Sequence, residues 1–361
     1  MALWQFGYLV RNRSLTADAG TVYVDLPRDE HIGALLLKAR CTAGDPTAVV
    51  GSRSMLDVVT DIQVMLEGSK TAYRANAAVG SFFQACATGT APGHTLNTVG
   101  AEEISLIIPF GRYFGDGQYM LDTSRYTSAQ LQFAYALNTT YESTGTFQYS
   151  VGFWRPVEKV NPLGFIRSRI VHTHVTSGSA EVYEVNLPTG LKWLGVGFRA
   201  YRWGSFLTDL VSNVDLDVGE GRLHLFNGAV QELEDINDTK FGPNFAAPAT
   251  LQSLADGGAG PTFLGLPRMV VLTQQSSTSS ALAISALNGT SYTLEASGVS
   301  GRTQVRTQAF GGAPFSCMLL FDGREQPFNA SVYADASIEF QFAALTTVLD
   351  VFVQEVVEGI L

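Results

Sequence analysis

The feature that most constrains this chain is that it repeats itself. Thr21-Val22-Tyr23-Val24-Asp25-Leu26-Pro27 returns as Glu181-Val182-Tyr183-Glu184-Val185-Asn186-Leu187-Pro188. Each block runs into an apolar stretch, Ile32 to Arg40 and Trp193 to Tyr201, with Lys38 against Arg199 at the same spacing of 161 residues as Pro27 and Pro188. Ile62-Gln63-Val64-Met65-Leu66 then pairs with Val214-Asp215-Leu216-Asp217-Val218 at a spacing of 152, copy one holding the longer loop, near 41–57. Ile104 to Gly111 resembles Ser316 to Gly323, and Leu131-Gln132-Phe133-Ala134 parallels Phe340-Gln341-Phe342-Ala343. Each copy closes on another alternating stretch, Phe147 to Phe153 and Val348 to Val356. Alternating strands resemble one another by composition, so one pair proves nothing, but five blocks in the same order imply two units of one topology.

The repeated blocks alternate apolar and polar residues, as in Leu131 to Tyr135 and Ile338 to Phe342. A period of two puts one set of side chains on one face of a strand. Gly115-Asp116-Gly117 and Asp256-Gly257-Gly258 read as turns. Helical periodicity is scarce, with Gln231 to Ile236 the one short helix expected. Many short strands with Gly-rich turns indicate sandwiches or barrels. The Pro/Gly segment Val160-Asn161-Pro162-Leu163-Gly164 divides the copies, so domains of 1–161 and 162–361 are expected. Copy two carries a much longer connection. Its excursion at about 241–313 is rich in Ser, Thr, Ala and Gly, and holds strand-like Met269 to Leu272 and Ala281 to Ile284.

At 361 residues the chain has room for two cores. Apolar residues are 46% and charged residues 16%, which excludes a disordered chain. A net charge of −10 argues against a broad basic face gripping nucleic acid. Cys41, Cys86 and Cys317 form neither a disulfide framework nor a metal pattern and read as small buried hydrophobes. There is no apolar run of membrane-span length, and the first ten residues lack a basic region ahead of an apolar one. Folding in a cytoplasm is therefore expected.

Catalytic patterns are missing from the sequence: no GxSxG, Walker A or HExxH occurs. His172-Thr173-His174 is the one close histidine pair, but Glu181, the nearest following acid, lies seven residues past His174. The pair reads as two strand histidines on one face rather than metal ligands. Asp215, Asp217 and Glu220 could offer oxygens to calcium, but the alternation of Asp215 and Asp217 reads as one solvent face of a strand. No catalytic, cofactor-binding or metal residue is assigned.

Two tandem units of about eight strand candidates each, with long loops, few charges and no secretory signal, resemble the double jelly-roll major capsid proteins of tailless icosahedral viruses, notably membrane-containing bacteriophages. The resemblance rests on architecture and the residues quoted, without a diagnostic motif. It implies an all-β chain of two tandem eight-stranded jelly rolls, the second with a long loop insertion. It further implies a non-enzymatic virion protein made in the host cytoplasm. Three chains would form a pseudo-hexagonal homotrimer that meets neighbouring capsomers, penton or minor capsid proteins and an internal lipid membrane, with no sequence-specific nucleic-acid binding. The excursion would form a tower. The N-terminal segment, with Trp4, Phe6, Arg11 and Arg13 and no acid before Asp18, would be an inner-face or membrane contact, or a contact with a neighbour. The residues leave two other readings open: a sugar-binding or adhesive tandem sandwich, such as a virion spike, and a degenerate bicupin.

Overall fold

In a computed structural model the described residues are 3–42, 55–89, 93–95, 101–139, 142–158, 160–202, 207–241, 246–254, 274–276, 279–283, 295–299, 302–310, 316–320 and 327–359. Sixteen principal strands account for the architecture. The first eight are β1 (Trp4–Ser14), β2 (Ala19–Asp25), β3 (Ala34–Thr42), β4 (Val59–Leu66), β5 (Lys70–Ala75), β6 (Ala101–Pro109), β7 (Ala129–Ala136) and β8 (Gln148–Pro156). The second eight are β9 (Gly164–Val175), β10 (Glu181–Asn186), β11 (Lys192–Tyr201), β12 (Val211–Val218), β13 (Leu223–Ala229), β14 (Ser316–Leu320), β15 (Ala336–Phe342) and β16 (Val348–Glu358). One helix follows β5 and another follows β13: α1 (Ala77–Thr88) and α2 (Val230–Phe241).

The strand orders are β1-β8-β3-β6 and β2-β7-β4-β5 in the first unit, and β9-β16-β11-β14 and β10-β15-β12-β13 in the second. Numbered within its unit, each order is 1-8-3-6 facing 2-7-4-5, the interleaving of a jelly roll. The chain is thus two jelly rolls of identical topology, as the repeat implies. Irregularities of register recur at equivalent places. β1 and β8 slip between Tyr8 and Val10, and β9 and β16 slip between Ile170 and His172. β4 and β5 slip after Val64, and β12 and β13 slip after Leu216.

Alternation turns into burial where a strand has one dry face: β7 alternates buried and half-buried residues along its whole length. One core gathers Phe133, Phe147, Tyr149, Leu35 and Ile62, and a second gathers Trp193, Phe198, Phe340 and Val351. The segment before β9 does not hang loose between them. The Leu163 N–H donates to the Gln118 carbonyl, and β9 pairs in parallel with β5, Ser168 beside Tyr73 and Arg169 beside Arg74. One sheet of the first roll thereby continues into one sheet of the second. Phe352 and Val357 of β16 and Phe165 of β9 belong to the first core, although all three follow the Pro/Gly segment.

Two features depart from the sequence reading. The connection after Ala77 opens with the twelve-residue helix α1, and the helix expected at Gln231 to Ile236 extends to Val230–Phe241. Buried on all sides from Ala77 to Ala87, α1 lacks the amphipathic period that reveals a surface helix. Within the excursion, Ala246–Leu254, Arg302–Phe310 and Glu295–Val299 form a three-stranded sheet, and Gln274–Ser276 pairs with Ser279–Ala283. Met269 to Leu272 and most of the loop near 41–57 lie outside the described residues. Among the described residues no helix is long and apolar enough to cross a membrane.

Candidate assembly surfaces

The seam between the rolls holds a linked polar and aromatic arrangement. Asn76 caps α1, its Oδ1 accepting from the Val79 N–H at 2.9 Å, while its Nδ2 donates to Asp350 Oδ2 at 2.9 Å. Thr173 Oγ1 donates to the other Asp350 oxygen at 2.8 Å, and Arg199 Nη1 lies 3.7 Å from Oδ2. Burial pushes the Arg199 guanidinium down, and the carboxylates of Asp350 and Asp57 oppose that shift. On the same strand Glu355, 1% exposed, accepts from Arg167 Nε at 2.7 Å and from Arg169 Nε at 2.9 Å. Below these groups α1 presses Phe82 and Phe83 onto Phe352, with ring centroids 5.3 and 5.2 Å apart. An open groove of about 460 Å³ runs over the seam, lined by Thr71, Arg74, Arg169 and Asn186 among others. The outer edge of β6 is paired with the short strand Gly93–Thr95, and α1 meets one further group on β6, the Ile107 N–H donating to Gln84 Oε1.

Strand β1 is the outer strand of its sheet and carries the N-terminal residues singled out from the sequence. Phe6 packs on Trp154 at 4.7 Å and on Tyr8 at 4.9 Å, and a Cβ at Gly152 would strike its ring. Arg11 lies over the Tyr8 ring, 5.5 Å from its centroid, and Arg13 is exposed. Trp4 covers Gly33, where a side chain has no room. The structure thus joins Trp4, Phe6 and Arg11 to one aromatic face with Tyr8 and Trp154, and Arg13 continues along the strand. Phe114 extends the cluster from Trp154, and Leu3, Tyr113, Val157 and Leu163 are further large apolar residues left exposed in the first roll and just beyond it. The sequence reading missed β1 as a counterpart of β9, because their residue types differ.

His172 and His174 lie within β9. His174 stacks on Tyr183 at 3.7 Å and shares a hydrogen bond with Glu181 at 3.0 Å. Those hydrogen bonds, with Ser177 contributing, hold the Glu181 carboxyl below its ordinary value. Asp215 engages His224 Nδ1 and Asn227 Nδ2, each at 2.8 Å. Among the described residues no group of three or more His, Cys, Asp and Glu is placed to hold a metal ion. The Asp215 hydrogen bond raises the His224 pKa. Protonation of His224 is therefore coupled to the β12–β13 pairing, and the support it adds is present at low pH and lost as pH rises through that elevated value. The His224 imidazole is expected to titrate by NMR above an ordinary histidine in the native chain and to fall back in Asp215→Asn.

The strand order defines a double jelly-roll fold, which solved structures of viral major capsid proteins share. The chain matches the major capsid protein of STIV, the Sulfolobus turreted icosahedral virus, with a TM-score of 0.61 at 10% identity, covering 98% of this chain and 97% of that one. It matches the major capsid protein P2 of bacteriophage PM2 with a TM-score of 0.54 at 9% identity, covering 99% and 98%. The capsid of the virus PBCV-1 matches with a TM-score of 0.54 at 8% identity, covering 98% and 94%. No family model and no curated protein matches the sequence.

Proposed function

We propose that this chain is a major capsid subunit, a structural virion protein without catalytic residues or cofactor. The observation that carries the reading is the pair of identically wound rolls fused edge to edge, an arrangement shared over 98% of the chain with a virus capsid protein. Rolls of 1–161 and 162–361 make one chain a third of a six-lobed ring, so the assembling unit is a homotrimer. The excursion at about 241–313 then forms the tower, and the trimer meets neighbouring capsomers, with penton or minor capsid proteins and an internal membrane as further partners. Synthesis in the host cytoplasm completes this reading. Trp4, Phe6, Arg11 and Arg13 form a contact surface, and their place on an outer strand favours a protein neighbour over lipid headgroups. Light scattering on a sizing column is expected to give three times 38.8 kDa, or larger closed shells. A chain that stays monomeric at high concentration overturns the proposal, and a monomer that binds glycan replaces it with an adhesive module.

A further inference from the structure

The two rolls are joined by a contact that is left half-used at each end of the chain. Strand β5 of the first roll pairs with β9 of the second. The equivalent of β5 in the second roll, β13, ends its sheet, and the equivalent of β9 in the first roll, β1, also ends its sheet among the described residues. The shared irregularities fix the correspondence residue by residue. Phe226 takes the place of Tyr73 and Asn227 that of Arg74, while Phe6 takes the place of Ser168 and Gly7 that of Arg169. Tyr73 is 0% exposed, whereas Phe226 is only half-buried and Leu223, His224, Asn227 and Ala229 of the same strand are exposed. A sheet end of this kind presents unpaired N–H and C=O groups to another strand.

The helices behave in the same way. By the same correspondence Glu232, Asp235 and Ile236 of α2 stand where α1 has the buried Val79 and has Phe82 and Phe83 packed on Phe352 of the second roll. Glu232 and Asp235 are exposed. On β1 a second irregularity between Val10 and Arg13, which β9 lacks, sets Arg11 and Asn12 together against Ser150, the counterpart of Asp350, so Arg11 falls within the bulge that stands for Thr173, and Arg13 takes the place of His174. The surface that lacks a neighbour on α2 is acidic, and the one that lacks a neighbour on β1 is cationic and aromatic. Acids keep an unassembled helix face soluble, and complementary charge selects the right partner on encounter.

We infer that β13 of one copy pairs in parallel with β1 of the next copy, Phe226 beside Phe6, repeating between chains the β5–β9 pairing within each chain. The α2 acids then face Arg11 and Arg13 of the neighbour. The contact is head to tail, so it closes into a ring when three copies bring six rolls round. The inference rests on the capsid-subunit reading and names the residues by which the trimer is held.

The test is thiol cross-linking of Gln5→Cys and Asn227→Cys by a short bismaleimide. Both positions are exposed, Cys41 and Cys86 are buried, and the unsubstituted chain, which also carries Cys317, sets the background. A chain carrying both substitutions is expected to yield a covalent trimer, and an equal mixture of the two single variants a covalent dimer and nothing larger. A dimer formed by Gln5→Cys alone indicates a face-to-face contact and overturns the inference. As a second measurement, Glu232→Arg with Asp235→Arg is expected to raise the concentration at half-dissociation about tenfold, as is Arg11→Glu with Arg13→Glu, and the four together to recover to within about twofold. A trimer that neither cross-links nor responds to charge reversal removes the strand pairing but leaves the capsid subunit standing. A monomeric native chain removes both. Loss of flotation with anionic-lipid vesicles on Arg11→Glu, without loss of trimer, assigns β1 to a membrane instead.

Discussion

Phe352→Ala is expected to lower the free energy of unfolding by about 3–5 kcal/mol, among the largest losses available to one side chain of this chain. Phe352 is fully buried, and it is supplied by the last strand of the second roll to the core of the first. It meets Phe83 edge-on at 5.2 Å and Phe82 at a tilt, so truncation forfeits two aromatic contacts as well as burial. The rings stand on a helix held by its cap to Asp350 on the same strand, and so the cavity cannot close by a small shift of one loop. Urea unfolding followed by tryptophan fluorescence and by circular dichroism measures the loss. Hydrogen exchange in α1 and β5 should accelerate along with that in β9 and β16, since one sheet runs through all three strands. A loss under about 1 kcal/mol would show that the seam is loosely filled and that the rolls are stabilised separately.

How far the sequence disclosed this arrangement depends on what each segment packs against. Strands with one dry and one wet face betray themselves by alternation, as Leu131 to Tyr135 and Ile338 to Phe342 do, and the two copies could be aligned through them. Helix α1 has no wet face. Its run of Ala, Gly, Ser and Phe carries no period, and only Asn76 before it and the left-handed Gly89 after it mark its ends. The first strands of the rolls were not recognised as a pair for a related reason. Strand β9 is paired on both sides, whereas β1 has one open edge, and Trp4, Phe6 and Gly7 stand where β9 has Ile166, Ser168 and Arg169. The N-terminal aromatics and arginines are visible in the sequence as an unusual set, but their place on an outer strand emerges only from the fold. The Pro/Gly segment at 160–164 reads as a divider between the copies, and its last residue, Gly164, already opens β9, which pairs with β5.

Glu355→Leu is expected to cost about 2–4 kcal/mol, and the reason lies in what it leaves behind. The carboxylate is 1% exposed and holds two guanidinium groups, Arg167 at 2.7 Å and Arg169 at 2.9 Å, which stand on the same face of β9. Without it two like charges face each other across a poorly solvated seam, and breaking a buried pair from one side is strongly unfavourable. The side chains of Arg167 and Arg169 keep 15% and 27% of their exposure, so water relieves part of the penalty and the cost stays below that of a fully enclosed pair. Glu355→Gln keeps the shape and one acceptor and should lose about half as much. The informative variant is the triple replacement of Arg167 and Arg169 by Met with Glu355 by Leu, because apolar side chains of similar volume often equal or exceed a buried charged triad. Recovery of native stability in the triple variant, read from urea midpoints, would mean that the triad selects the register of β9 against β16 rather than supplying net stability. A triple variant as unstable as Glu355→Leu alone would mean that the ion pairs themselves hold the seam, and the head-to-tail contact proposed between copies, which lacks such a triad, would then be expected to be the weaker junction.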